Sequence, residues 1–576
     1  MLKNCIKCVI ILLLLTVPTF KIPRANAATL DVCLAGCSYN NIQTAINAAT
    51  AGDTISIGPG TYSVLQIIVN KPLTIIGSGQ GQTIIDGGLA NGSYGADGMI
   101  RITTHRNGEI NLSGMTIQNA SRKNTTGLRF PIRVVSGATV TNPNTYSVNL
   151  SNLEILGTAE VDSATDYGIY ISGLANSLPE PTISLDDLNI SGTRGNGILV
   201  EEWRNSISIT NSELYEGPFG ATSVFIGHAN SPNNGQNLGS ILIGNNNFIG
   251  KGVAISQTYP NILNGGYANI EILNNIFSEI DNTDIAIGIQ TPNAPGIGQS
   301  VSNLLIEGNQ ISGVGYDITD SNHDTVGIKL TGQIDSGLIQ NNEIIGMNTG
   351  LRTQDNASGS PSNILVTKNR LASNVIGIDN LSSSSLQAPA NWWGCSLNPL
   401  DNQLPCALIN QSPGIVLIDN WVVRTASLPP LVYPGETYTI PVYLNTLNTG
   451  QDISLLPSEY EINSFEITIP LDAVPGSILG VAIDTIPLDL RTWSGELFNL
   501  TISQPPDPEL PEEPPTGPPN NDQPTNPPTN PQNNDPSVLS ELSDTGLDLI
   551  KNYYAIFGII TSVILILSTG ILRERV

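Results

Sequence analysis

The chain has 576 residues, which is too long for one ordinary hydrophobic core and indicates several domains or a repeat architecture. Its 49 acidic and 23 basic side chains give a formal net charge of −26. Such a charge argues against nucleic acid as a partner and favours a solvated surface outside the cell. Basic partners and divalent cations, calcium among them, would be attracted without specificity.

The N-terminus has the features of a secretory signal. Two lysines precede the apolar run Val9–Val17, and Ala25–Ala27 supplies small residues for cleavage. The run is too short for an uncleaved anchor, because a membrane span needs about twenty apolar residues. We therefore expect residues 1–27 to be removed and Ala28 to begin the mature chain.

Four of the six cysteines remain after this cleavage. They form two local couples, Cys33 with Cys37 and Cys395 with Cys406, which in an exported chain predict two disulfides. A zinc site is the other interpretation of four cysteines, but no Cys-x-x-Cys spacing or histidine cluster accompanies them.

A short amphipathic helix is predicted near the mature N-terminus, because apolar residues recur at helical spacing from Ile42 to Ala49. Two segments punctuated by Gly and Pro follow it, residues 53–62 and 71–77, and both are typical of strands.

From residue 110 to about 394 a degenerate unit repeats, with an alternating apolar strand, a polar pair, another apolar residue and a turn. Leucine-rich, helical-pair and propeller repeats are alternatives, but strong helix formers are scarce and short strands dominate. A coil of stacked parallel strands fits this pattern best. The units begin at Ile110, Val148, Ile183, Ile207, Ile241, Ile270, Leu304, Gly337 and Ile364.

The sixth position of this unit is apolar in the early repeats and asparagine in the later ones. Stacked turns lie about 4.8 Å apart, so identical amides can hydrogen-bond along the column as a structural ladder. A ligand-binding role for the column is the alternative, but a ladder satisfies its own donors and acceptors. The ladder residues are Asn246, Asn275, Asn309, Asn342 and Asn369.

Residues 40–62 and 71–77 resemble the capping helix and first turns of the pectin lyase-like, right-handed parallel β-helix proteins. Ala390–Gly394, Ala-Asn-Trp-Trp-Gly, is similar to a motif that closes such bodies in surface proteins. The resemblance covers residues 28–406. It implies an all-β chain built on a right-handed parallel β-helix solenoid with an N-terminal capping helix, and it implies little about function.

After this body, residues 415–503 contain four short alternating segments, which predict a small β-sandwich. Residues 419–423, 434–437 and 447–452 resemble the bacterial immunoglobulin-like domains found beside β-helices, where such domains serve as spacers or adhesive modules. The segments begin at Ile415, Thr437, Ser464 and Leu497.

The C-terminal region is predicted to be a stalk and an anchor. Residues 504–537 hold thirteen prolines and should form an extended, semi-rigid stalk. In the anchor segment, residues 538–576, the apolar run 555–572 is flanked by tyrosines and arginines and predicts one transmembrane helix. Everything before that helix then faces the outside of the cell.

Leu542, Ser543, Asp544, Thr545 and Gly546 resemble the sortase sorting signal, Leu-Pro-x-Thr-Gly. Ser543 stands where the family has proline, which leaves two interpretations open. Either sortase transfers the chain to the cell wall, or the helix retains it in the membrane.

Motifs of catalytic β-helix families are incomplete. Residues 282–284 match the Asn-Thr-Asp of polygalacturonase-like hydrolases, and Ile328-Lys329 faintly matches their last motif, but no paired aspartates follow Asp284. An inverting hydrolase requires two carboxylates. Pectin methylesterases resemble the opening, yet residues 60–64 lack the final glutamate of their Gly-x-Tyr-x-Glu signature.

The richest local cluster of chemically active residues comprises Asp317, Asp320, His323, Asp324 and Lys329. Carboxylates at this spacing on a loop could bind calcium, and Lys329 could act as a base. A solvated turn is the alternative.

A second cluster comprises Glu201, Glu202 and Trp203, which could stack on a sugar ring and hydrogen-bond to its hydroxyls. A tryptophan that fills a gap in the stack is the alternative.

Two functions follow from these patterns. The first is a non-catalytic surface protein that binds an extracellular polysaccharide or another cell surface. The second is a surface lyase or glycoside hydrolase that acts on acidic polysaccharide.

Overall fold

A computed structural model of the protein describes the main body of the chain. The predicted signal, stalk, sorting-like motif and transmembrane helix lie outside the described residues. These are residues 27–88, 98–104, 108–120, 128–136, 147–157, 165–173, 181–203, 205–215, 222–228, 239–257, 269–280, 284–293, 300–314, 324–402, 406–453, 463–474, 478–483 and 496–501.

The fold class is confirmed, because the body is a parallel β-helix. One wall is a 12-stranded sheet in which every strand pairs in parallel with the strand of the next coil. Its strands are Ile67–Val69, Ile100–Thr103, Ile132–Val135, Ile169–Ser172, Ile198–Glu201, Val224–His228, Val253–Gln257, Ile285–Gln290, Val326–Thr331, Thr349–Gln354, Ile376–Leu381 and Leu408–Gln411.

The opposite walls belong to a 21-stranded sheet with the same parallel stacking. Three long strands in the early coils give way to pairs of shorter strands in the later ones. Its strands are Thr29–Val32, Thr54–Ile57, Gly60–Ser63, Thr74–Ile76, Thr83–Asp86, Ile110–Gln118, Ser147–Leu156, Thr182–Ser191, Ile207–Thr210, Glu213–Tyr215, Ile241–Gly244, Asn247–Ile249, Asn269–Leu273, Ile276–Ile280, Asn303–Glu307, Gln310–Gly313, Gly337–Gln340, Glu343–Ile345, Ile364–Thr367, Leu386–Gln387 and Val416–Leu417.

Within the described residues one α-helix, Ile42–Ala48, covers the N-terminal end of the solenoid core. Asn41 caps it, with its side chain accepting a hydrogen bond from the backbone N–H of Thr44. Ile42, Ala45 and Ile46 are buried against the first coils. The predicted capping helix is therefore present, and it shields apolar side chains that would otherwise face water at the open end.

Alternate residues of each strand point into the core, as the two-residue period of a strand requires. The inward residues are almost all Ile, Leu and Val, and they stack on like residues of adjacent coils. Phe248 lies on Phe277 of the next coil, with ring centroids 4.7 Å apart and planes 13° from parallel. The core is thus a column of repeated contacts rather than a single cluster.

The asparagine column forms a continuous buried hydrogen-bond ladder. Asn275 Oδ1 accepts from the backbone N–H and from Nδ2 of Asn246, both at 2.9 Å. Asn275 Nδ2 donates to Asn309 Oδ1 and to the carbonyl of Ile243, again at 2.9 Å. The same contacts repeat through Asn342 and Asn369, so every donor and acceptor of these fully buried amides is used.

Both ends of the ladder extend beyond the predicted residues. At the C-terminal end Asn391 continues it, since its Oδ1 accepts from Asn369 Nδ2 at 3.0 Å. At the other end the backbone N–H of Ser212 donates to Asn246 Oδ1, and Ser212 Oγ accepts from the N–H of Leu188. A serine therefore joins the ladder to the early coils, where the column is apolar.

The two residues of the polar pair in each repeat, the ladder asparagine and the residue before it, have different structural roles. The residue before each ladder position has a positive φ, as in Asn245, Asn274 and Asn341, and it bends the chain between two strands. Asparagine tolerates this conformation better than most residues, and Gly308 takes the same position before Asn309. The second residue of the pair then points inward.

The solenoid extends further than predicted. The segment at Ile415, expected to open the sandwich, instead contributes Val416–Leu417, which pairs in parallel with Leu386–Gln387. Val416 is 2% exposed, and Ile418 and Trp421 also pack against the solenoid core. Burial of these side chains places the boundary of the body beyond residue 406.

The Asn-Trp-Trp motif closes the body. Trp393 is fully buried in the solenoid core, whereas Trp392 is buried in a second cluster with Val422 and Leu447. Arg424 lies over the Trp392 ring, 5.4 Å from its centroid. One tryptophan thus fills the last coil and the other packs against the next module.

Antiparallel strands follow the solenoid. Val422–Ala426, Thr437–Leu447 and Asn463–Thr468 form a three-stranded sheet, and Ile478–Ile483 pairs with Glu496–Thr501. Both predicted disulfides, Cys33–Cys37 and Cys395–Cys406, are present. Within the described ranges no helix is long and apolar enough to span a membrane.

We predict that Asn309→Ala destabilises the protein by about 2–4 kcal/mol, because it leaves two buried N–H donors of Asn275 without their acceptor. Asn303→Ala is the matched control. Asn303 is exposed and donates only to the Asn269 side chain, so its loss should cost less than about 0.5 kcal/mol. Denaturant unfolding followed by circular dichroism compares the two, and equal losses would contradict the structural role of the ladder.

Candidate functional site

The outer face of the 12-stranded sheet carries most of the sequence-predicted catalytic residues that the structure describes. Asp284 lies just before the strand Ile285–Gln290, and its carbonyl accepts from the N–H of Val326 on the next coil. Its carboxylate forms an ion pair with Lys251 Nζ. The side chains of Asp284 and Lys251 are only 17% and 9% exposed, so this carboxylate is held by a neighbour in a largely buried setting.

Asp324 belongs to a second ion-pair group on the same face. Both its carboxylate oxygens accept from the Arg352 guanidinium, at 2.7 and 2.9 Å. Arg352 Nε also donates to Asp379 at 2.8 Å, and the Asp379 side chain is 4% exposed. The hydrogen bonds from Arg352 hold the pKa of Asp324 below its ordinary value.

Lys329 lies in register with Arg352 on the adjacent coil, close enough to Asp324 to help lower its pKa. Asp317, Asp320 and His323 lie outside the described residues. Throughout the described ranges no group of three or more His, Cys, Asp or Glu side chains could hold a metal ion. The structure therefore places Asp284 and Asp324 in ion pairs with lysine and arginine side chains.

The predicted sugar-stacking role of Trp203 is wrong. Its side chain is 1% exposed, and Nε1 donates to the carbonyl of Pro181 at 3.0 Å within the solenoid. Glu202 has a positive φ of 59°, and its N–H donates to the carbonyl of Gly227. The chain thus turns inward after Glu201, which makes Trp203 the gap-filling residue of the alternative interpretation.

Glu201 belongs instead to a cluster that the sequence interpretation missed. We define the arginine–aromatic cluster as Arg101, Phe130, Arg133, Tyr167, Tyr170 and Glu201.

Parallel register assembles this cluster on the outer face of the 12-stranded sheet. Arg101, Arg133 and Tyr170 are partners on three successive coils, each at the second position of its strand. Inward neighbours such as Ile132 and Ile169 are fully buried, which turns the second positions outward. Adjacent coils lie about 4.8 Å apart, so the two guanidinium groups and the phenol follow one another along a line.

Three aromatic rings stack beside this line. The Phe130 ring lies 5.6 Å from that of Tyr167 and 4.8 Å from that of Tyr170, with planes within about 20° of parallel. The Arg133 guanidinium lies over the Phe130 and Tyr170 rings, 5.8 and 5.2 Å from their centroids. These are cation–π contacts, and they fix the positive charge against a flat apolar surface.

Glu201 completes the cluster by accepting a hydrogen bond from the Tyr170 hydroxyl at 2.6 Å. Burial, followed by this hydrogen bond and the Glu201 charge, raises the pKa of Tyr170 far above its ordinary value. Tyr170 is therefore a neutral donor at every physiological pH and is unsuited to act as a base. The cluster offers binding groups of both signs but no activated nucleophile.

A polar groove of about 630 Å³ lies elsewhere, over the bend between the paired strands of the 21-stranded sheet. Its lining includes Glu213 and four residues of positive φ, namely Asp187, Asn211, Asn245 and Asn274. The groove presents amides and carboxylates, but its described lining includes neither a basic nor an aromatic side chain.

No similar protein indicates the function of this chain. No protein-family profile and no curated protein matches the chain. A solved polysaccharide lyase of the PL6 family from Pseudopedobacter saltans aligns over 67% of this chain and 92% of its own, at 14% identity and a TM-score of 0.29. Similarity this low supports no functional transfer, so the β-helix assignment depends on the strand register described above.

We predict that Asp324→Asn lowers stability at neutral pH by at most about 1 kcal/mol, because the carboxylate is half exposed and its ion pair is partly screened. The folded pKa of Asp324 lies below the unfolded value of about 3.9, so its contribution is present above that value and is lost as the pH falls through the folded pKa. Unfolding at pH 7 and pH 2 should show a smaller wild-type advantage at pH 2 than at pH 7. An equal gap at both pH values would contradict the ion-pair assignment.

Proposed function

We propose that this protein is a non-catalytic, anchored surface protein that binds acidic polysaccharide through the arginine–aromatic cluster. The observation that carries the proposal is the placement of two arginines and two partly exposed tyrosines, stacked on the buried Phe130 ring, on one outward face of a chain whose net charge is −26. Guanidinium groups gathered on one face of so acidic a protein are candidate contacts for anions.

The cluster has the groups that an acidic sugar polymer requires. Guanidinium groups bind carboxylates and sulfates through paired hydrogen bonds, and the partly exposed Tyr167 and Tyr170 can pack against the apolar faces of sugar rings. Glu201 can accept hydrogen bonds from sugar hydroxyls. Because Arg101 and Arg133 occupy successive coils, they can bind an extended anionic ligand that runs along the solenoid axis.

The proposed location is the extracellular face of the membrane or the wall. It is supported by the predicted secretory signal, the two disulfides, and the acidic, proline-rich segment that precedes the predicted transmembrane helix. In this proposal the antiparallel strands after the solenoid belong to an immunoglobulin-like spacer.

A surface lyase or hydrolase is the second candidate function, because Asp284 and Asp324 lie on adjacent coils of one face. Either carboxylate would have to be available as an acid, a base or a calcium ligand. Both are instead engaged, Asp284 by Lys251 and Asp324 by Arg352. Binding without turnover is therefore the better supported function.

We predict that Arg133→Gln weakens retention on cross-linked polygalacturonate or alginate by about 10- to 100-fold, since a charged hydrogen-bond pair is lost. Lys329→Gln is the matched control, because it removes the same charge from the outer face of the same sheet and should bind as wild type. Retention is measured by affinity electrophoresis, after circular dichroism has shown equal melting temperatures.

Two further measurements test the proposal. Wild-type retention should fall with added salt, because surface charges are screened. Uronate release, measured with and without calcium, should be absent. Equal binding of the two variants, binding of neutral cellulose instead of the acidic polymers, or release of unsaturated uronate would overturn the proposal.

A further inference from the structure

The first residue after the predicted cleavage point has a specific polar contact. The backbone nitrogen of Ala28 donates to Asp53 Oδ1 at 2.8 Å. The second carboxylate oxygen, Oδ2, accepts from the N–H and the hydroxyl of Thr50, both at 2.8 Å. Asp53 as a whole is 6% exposed, so its carboxylate is enclosed by the end of the chain and the turn after the capping helix.

Ala28 is also held by the backbone. Its carbonyl accepts from the N–H of Thr54 at 2.8 Å, and the next residues form the strand Thr29–Val32, which pairs with Thr54–Ile57. Chain termini usually fray unless such a strand ties them down. The nitrogen of Ala28 is therefore fixed in front of Asp53.

Cleavage would change the chemistry of this nitrogen. Hydrolysis of the Ala27–Ala28 peptide bond adds one water, leaving a carboxylate on Ala27 and an amine on Ala28. That amine takes up a proton near neutral pH, because an α-amino group has a pKa of about 7.7–8.0. The same atom that donates as a neutral amide then carries a positive charge.

We propose that Asp53 is a preformed binding site for the α-ammonium group of the processed chain, so that removal of the leader completes and stabilises the first coil of the solenoid. Before cleavage the contact joins a neutral N–H to a carboxylate. After cleavage it is an ion pair with up to three donors, and charge-assisted hydrogen bonds are about twice as strong as neutral ones.

Two further observations support this site. Hydrogen bonds from Thr50 and Ala28 hold the pKa of Asp53 below its ordinary value, so the carboxylate is ionised when the leader is removed. The positive charge of Lys71 also lowers the pKa of Asp53, but its Nζ donates to the carbonyl of Ala49 at 2.6 Å. The position nearest to the carboxylate is thus occupied by Ala28 rather than by a lysine.

The experiment uses the full exported chain, purified in detergent. Its N-terminus, read by mass spectrometry, should be Ala28. The α-amine should react with an acylating reagent at pH 8 about fivefold more slowly than in Asp53→Asn, because an ion pair raises an amine pKa by about one unit or more. Asp31→Asn is the matched control, since Asp31 is exposed on the first strand and its variant should react as slowly as wild type.

A second variant keeps the test decisive if Asp53→Asn fails to fold. One glycine inserted before Ala28, behind the same leader, moves the charge away while keeping every side chain. The extended protein should melt at a lower temperature than the wild type at pH 7. A different mature N-terminus, equal amine reactivity in the wild type and Asp53→Asn, or an unchanged melting temperature in the extended protein would overturn the proposal.

Discussion

The buried asparagine ladder is the interaction on which the solenoid depends in its later coils. Each side-chain amide lies in an apolar core. A buried N–H donor without an acceptor there lowers the stability of the fold by as much free energy as several favourable contacts supply. Each amide is satisfied only when the next coil places its own asparagine directly above, as Asn309 does for Asn275 and Asn342 does for Asn309. The ladder therefore fixes the register, since a shift by one residue would leave a column of buried amides without partners.

A fixed register has consequences on the outside of the solenoid. If inward residues are aligned, the outward residues between them are aligned as well, at the same spacing. In the early coils, which lack the ladder, the stacked apolar residues Ile100, Ile132 and Ile169 align the strands instead. This pairing places Arg101, Arg133 and Tyr170 in one row. The strand residues of the proposed binding surface thus take their rigidity from the packed core beneath them.

The sequence was sufficient for the features that repeat along the chain and insufficient for those that depend on alignment between coils. Alternating strands, the capping helix and the ladder have periodic or local signals. The arginine–aromatic cluster has only a weak sequence signal, which is an Arg or Tyr directly after the first isoleucine of three strands, at Ile100, Ile132 and Ile169. Because the coils differ in length, the sequence alone does not show that these residues are neighbours. Trp203 points inward because the backbone turns at Glu202, and Val416 joins the solenoid because it covers Leu386; neither event follows from residue type.

Distances along one outward column test the stacked architecture most directly. Asn149, Glu271 and Gln387 occupy one column, with four coil-to-coil steps between the first two and four between the last two. With spin labels at pairs of these positions, electron–electron resonance should give backbone separations of about 19, 19 and 38 Å, since each step is about 4.8 Å. The longest distance must then equal the sum of the other two, and a longest distance well short of that sum would contradict the solenoid.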